Sequence, residues 1–167
     1  IPHVLIVDDE PAIRDLIRER LIREDRSPAA ASRGLGVIAL LQKRIAEGES
    51  YFRQALRFDP ADFRALAGLG TALWGQGQRE EGFAAILKAS EGSPDDQSIV
   101  LQMINPSYAL NRLEQLQAAL ERFVRKHPDN LDMCYCLAGC YFRRKRLGQA
   151  EAMLHRILMI SPTHPGG

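Results

Sequence analysis

Three cysteines, Cys134, Cys136 and Cys140, crowd into one short stretch of the chain. Cys136 and Cys140 are four residues apart and share a face if that stretch is helical, a geometry open to metal. No Cys-x-x-Cys and no histidine pair lies nearby to complete a tetrahedral set. An odd number of thiols on one helix does not make a disulfide framework, so a reducing cytoplasm is the simpler setting. Cys134 reads as a small buried hydrophobe. His3, His127, His155 and His164 are scattered. Serine motifs, helical metal motifs and phosphate-cradling loops are lacking. Gly34, Gly36, Gly68, Gly70, Gly75 and Gly77 do not surround a strand–helix junction. These residue types point to a non-enzymatic chain with no cofactor.

The elements that would position such side chains are set by a repeat. Pro60, Pro94, Pro128 and Pro162 recur at intervals of 34 residues. Other columns keep the same step: Leu35, Leu69, Met103 and Leu137; Gly36, Gly70, Ile104 and Ala138; Phe52, Ile86, Leu120 and Leu154; Ala55, Ala89, Phe123 and Ile157. A small-residue column holds Gly48, Gly82 and Ala150, with Leu116 the exception. Small residues let helices approach closely and large ones fill the gaps left between them. A proline after each second helix lacks the amide needed to continue it and restricts the residue before it. Gly77 and Asn111 fall where a left-handed residue would end a first helix. Lys43 and Lys145 hold that column elsewhere, so those two turns are less well specified.

A period of about 34 residues with these columns resembles the tetratricopeptide repeat family, whose helix–turn–helix units bury their apolar faces by stacking. The resemblance covers residues 29–164 and implies an all-α solenoid of four repeats, at 29–62, 63–96, 97–130 and 131–164, followed by a tail at 165–167. Repeat three is expected to be locally widened or bent. Asn105-Pro106 falls inside its first helix, and Ile104, Leu116 and Phe123 are bulky for close-contact columns.

The family resemblance also implies where function lies, on a concave groove lined by the first helices that holds a protein or peptide. One groove column reads Leu40, Trp74, Tyr108 and Phe142. Aromatic anchors are enriched at binding hot spots. Packing between neighbouring helices is the other use open to these rings, and Tyr141 in the next column is assigned to it. Arg33, Arg64, Asn105, Asp132, Tyr135 and Arg143 would supply polar contacts. The Lys and Asn pairs with which some members clamp a terminal carboxylate are absent, since Gly34, Ala67, Gly68, Leu101 and Cys136 stand at those positions.

Residues 1–26 read differently. His3-Val4-Leu5-Ile6-Val7-Asp8-Asp9-Glu10-Pro11, followed by Ile13, Leu16, Ile17 and Leu21 on one helical face, resembles the strand and helix that open a response-regulator receiver domain. The resemblance implies a weak magnesium site at Asp8 and Asp9, a hard cation suited to oxygen ligands. It covers too little chain for a receiver. No acceptor aspartate can be assigned, because Asp59 belongs to the turn that closes repeat one. Magnesium would matter only if a complete receiver is encoded, with a segment missing between Arg26 and Ala29. The alternative reading is therefore the output part of a two-component response regulator whose receiver is truncated, and either reading suits bacterial signalling.

The 167 residues are 46% hydrophobic, enough for a continuous core, and 22 Lys and Arg against 21 Asp and Glu give a net charge of +1. That balance gives no general pull toward nucleic acid or acidic membranes. No apolar run reaches the length of a membrane span. Met153, Leu158 and Met159 are expected to flank an uncapped last repeat, and the Val4–Val7 run to be an unpaired strand. Both are routes to self-association.

Overall fold

The computed structural model describes residues 27–161, and the receiver-like segment with Asp8 and Asp9, the two outer histidines His3 and His164, and Pro162 lie outside them. Eight helices and no strand occur among the described residues: α1 (Pro28–Leu41), α2 (Ile45–Phe58), α3 (Phe63–Gly75), α4 (Arg79–Gly92), α5 (Gln97–Ala109), α6 (Leu113–Lys126), α7 (Leu131–Arg143) and α8 (Leu147–Ile160). They fall into two compact units, α1–α4 and α5–α8, divided between Gly92 and Ser93.

Each odd-numbered helix starts on a side-chain cap. Ser27, Asp62, Asp96 and Asn130 accept from the amides of Ala30, Ala65, Ser98 and Met133. Such a cap satisfies one of the amides that a helix start leaves without a partner. The same helices all end alike. Lys43, Gly77, Asn111 and Lys145 take positive φ of 61°, 87°, 55° and 59°. The next residue then donates back into the helix: Arg44 to Ala39 O at 2.8 Å, Gln78 to Leu73 O at 3.0 Å, Arg112 to Ser107 O at 2.7 Å and Arg146 to Tyr141 O at 2.8 Å. This is the Schellman closure. The two lysine turns are thus as sharply defined as the glycine and asparagine ones, because the backbone bonds and not the residue type fix the geometry.

In the first unit, the ring of Phe52 is the packing centre. It is completely buried and sits with Ala55, Ala65, Leu69, Ala72 and Leu73, while Leu40, Ile45, Leu56 and Leu66 pack around it. Two glycines make room for it. A methyl group on Gly36 would lie 2.8 Å from the ring, and one on Gly68 would lie closer still. α3 and α4 meet backbone to backbone, where a methyl on Gly70 would be 2.6 Å from the Gly82 carbonyl and the reverse is equally close. The repeated small-residue columns of the sequence are these contacts.

The second unit buries Ile99, Val100 and Met103 of α5, Leu116, Leu120 and Phe123 of α6, and Met133, Cys134 and Leu137 of α7. Polar ties run between its helices and turns. Asn130 Nδ2 donates to Gln97 Oε1 at 2.9 Å, Arg144 to Gln117 Oε1 at 2.6 Å, and Tyr141 OH to Glu121 Oε2 at 2.8 Å. Pro106 does not break α5. The helix runs through it to Ala109, and the Pro106 carbonyl still accepts from Leu110 at 2.9 Å. A proline near the C-terminal end forfeits one bond to the preceding turn, while burial of the ring holds the helix together.

Candidate partner-binding surface

The residues expected to bind a partner separate into groups with different surroundings. In the first unit Arg33 on α1 is committed within the fold. Its guanidinium donates to Asp62 Oδ2 at 2.6 Å, while Oδ1 of the same buried carboxylate caps α3 through the Ala65 amide at 3.0 Å. Trp74 is half-buried, and the guanidinium of Arg79, in the first turn of α4, lies over its ring 5.2 Å from the centroid. Leu40 is half-buried against Gly48. Arg64 is exposed on α3.

In the second unit α5 and α7 bring several of the expected residues together. Arg143 lies over the ring of Tyr108, 5.0 Å from its centroid, and this contact ties the end of one helix to the end of the other. Burial pushes the Tyr108 hydroxyl up from its ordinary range, so it stays a neutral donor and acceptor at physiological pH. A methyl group on exposed Gly139 would be 3.8 Å from the Tyr108 hydroxyl, which places that phenol at the open surface of α7. Asn105, Asp132 and Arg143 are exposed, and Tyr135 is 51% exposed. On α7, Asp132, Tyr135, Gly139 and Arg143 follow one another at the three- and four-residue steps of a single helical face. The result is a surface with aromatic bodies, one fixed cation and small polar groups, the mixture suited to a peptide backbone and its side chains.

Phe142 is placed elsewhere. It is 66% exposed and lines a cavity of about 350 Å³ together with Leu147, Ala150, Glu151, Leu154, His155 and Leu158. Neither this cavity nor the engagement of Arg33 and Trp74 was legible from the repeat columns. The available signal for Arg33 was Asp62 itself, an acid one residue before an apolar helix.

The three cysteines differ in their surroundings. Cys134 and Cys140 are buried, with Sγ directed at the carbonyls of Pro128 at 3.7 Å and Leu113 at 3.6 Å. Cys136 is half-buried, and burial pushes all three thiols up. Among the described residues no group of three metal-ligating side chains occurs, and no helix is long and apolar enough to cross a membrane.

Family models described as tetratricopeptide repeat match residues 12–63, 44–97 and 105–165. The first match takes in residues 12–26, so repeat-like sequence extends into the segment set apart above as receiver-like. No curated protein matches the chain. Among solved structures, YrrB, described as a TPR protein with an unusual peptide-binding site, superposes with a TM-score of 0.62 at 21% identity over 88% of this chain and 76% of that one. MamA from Desulfovibrio magneticus RS-1 gives 0.63 at 17% identity, over 81% and 76%. PilF from Pseudomonas aeruginosa gives 0.66 at 18% identity, over 89% and 78%. At these identities the likeness is one of fold.

Proposed function

The chain belongs to the tetratricopeptide repeat family, and from that premise we propose that it is a non-enzymatic scaffold that holds a segment of a partner protein on the α5–α7 surface. The observation that carries this reading is the pairing of Tyr108 with Arg143 beside exposed Tyr135, Asn105 and Asp132. An aromatic ring held in place by a cation pays little conformational entropy on binding, and Tyr and Arg dominate interface hot spots. The unusual peptide-binding site of YrrB, a protein of the same fold, supports the same kind of ligand. Free thiols, two of them buried, suit a reducing cytoplasm.

Selection of peptides from a displayed random library on the immobilised chain tests this. The selected peptides should lose about 1–3 kcal/mol of binding on Tyr135→Ala or Arg143→Ala, with helix content unchanged. Equal affinity for both variants would remove the surface from consideration. A role in bacterial signalling, as the output of a response regulator, rests on the Asp8-Asp9 opening alone. Intact-mass measurement after treatment with a small phosphodonor and magnesium decides it, and the expected result is no added phosphoryl group, since no acceptor aspartate is assigned.

A further inference from the structure

Two stripes of surface residues run side by side along α5 and α7, in step with each other. On α5 the exposed stripe is Ser98, Leu101, Asn105 and Ala109, and on α7 it is Asp132, Tyr135, Gly139 and Arg143. Each residue of the second stands one repeat length after its counterpart in the first. Steps of three and four keep each set on one helical face. Contacts at both ends hold the two helices abreast. Asn130 Nδ2 donates to Gln97 Oε1 at 2.9 Å where they start, and Arg143 covers the Tyr108 ring near where they end.

The pairs along this furrow change in chemistry from one end to the other. At the start Asp132 stands level with Ser98, and exposed Asp129 lies in the turn just before. The next pair is apolar, with Leu101 42% and Tyr135 51% exposed. The third is Asn105 with Gly139, where the missing side chain leaves the Tyr108 hydroxyl at the floor, 3.8 Å from where a methyl would lie. The last is Ala109 with Arg143, and exposed Lys145 and Arg146 follow in the turn. From Asp132 to Arg143 the helix rises about 16 Å. That is about two Debye lengths at physiological salt, so each end acts only on the part of a ligand nearest to it.

Resting on the reading that this surface holds a partner, we infer that it selects an extended segment with a charge at each end of a short apolar stretch. A basic side chain meets Asp132, an apolar one lies between Leu101 and Tyr135, and an acidic one meets Arg143. An extended chain advances about 3.3 Å per residue, so its two charged residues stand about five positions apart. A helical segment would need about eleven positions, and its backbone amides are already paired with its own carbonyls. An extended one has amides and carbonyls to offer to the Asn105 side chain and the Tyr108 hydroxyl in the gap over Gly139. The two charges fix the register, since a slip of a residue or two along the furrow moves both away from their partners.

The test uses the full chain and dye-labelled peptides that carry one lysine and one glutamate flanking a leucine in a Gly-Ser background. Their charges are set from about three to about eleven residues apart, in both orders. Fluorescence anisotropy should show the tightest binding at a separation of about five in one of the two orders, by about threefold or more. Replacing the glutamate of that peptide by glutamine should weaken binding several-fold to the native chain and little to Arg143→Gln. Replacing its lysine by glutamine should do the same for the native chain and Asp132→Asn. Tyr135→Ala should weaken every peptide, and thermal melts check that each variant folds. Binding that falls on Tyr135→Ala but is indifferent to separation and to both charges overturns this inference and leaves the scaffold reading standing. A best separation of about eleven residues overturns the extended segment. Binding by none of the peptides overturns the inference too, and the library selection then decides the scaffold reading by itself.

Discussion

Arg33 and Asp62 form an ion pair at 2.6 Å that links α1 to the start of α3 while the same carboxylate caps α3. One buried side chain therefore both joins successive repeats and caps the start of a helix. Asp62→Ala should lose about 2 kcal/mol or more, combining the cap with the charge-assisted bond. Asp62→Asn keeps a capping oxygen and should recover roughly half of that loss. Urea denaturation of the two variants beside Arg33→Ala separates the contributions. Equal losses for Asn and Ala would mean that the cap contributes nothing.

The lysines at left-handed positions offer a gain. Lys43 and Lys145 hold φ near 60° on exposed turns whose backbone bonds match those at Gly77. A side chain with a β-carbon is disfavoured in that conformation by about 1 kcal/mol. Lys43→Gly and Lys145→Gly should each stabilise by about 0.5 kcal/mol once the added freedom of the unfolded chain is subtracted. Differential scanning calorimetry should show a higher midpoint for both, and a lower one would place the lysine side chains in stabilising contacts.

Close approach at Phe52 makes two glycine substitutions differ in sign. Gly68→Ala puts a methyl group into a fully buried ring and should cost about 1–3 kcal/mol. Gly148→Ala meets no atom within 4 Å, and removing a helical glycine should be neutral or stabilise by up to about 1 kcal/mol. Thermal melts of the pair, with circular dichroism to confirm helix content, check the contrast.

Stability should also fall in alkali through Tyr141. Burial first, and then its hydrogen bond to Glu121, push its hydroxyl up from the ordinary value of 10 to about 12. The folded state thus keeps the proton while the unfolded chain releases it. This contribution is whole below pH 10 and disappears as pH rises from 10 through about 12. Its size is on the order of 3 kcal/mol. Tyr141→Phe should remove that part of the alkaline decline at a cost of about 1 kcal/mol at neutral pH. An unchanged alkaline profile in the variant would assign the decline to other groups.

The repeat was legible in the sequence because its causes are local and periodic. A proline just after a helix keeps it from continuing, and small residues at a fixed interval announce close packing. Those features placed the helices and named Tyr141 as an interior ring. What each surface side chain does was not periodic, and only the tertiary structure decided it. Arg33 and Trp74 sit in the same columns as exposed Tyr135 and Phe142. Arg33 and Trp74 are nevertheless engaged by Asp62 and Arg79, because those partners come from neighbouring helices that the column pattern does not encode. The same holds for Leu154 and Phe52. They share one column, yet α3 covers one of them and the other lines an open cavity, since burial depends on which helix packs against a residue.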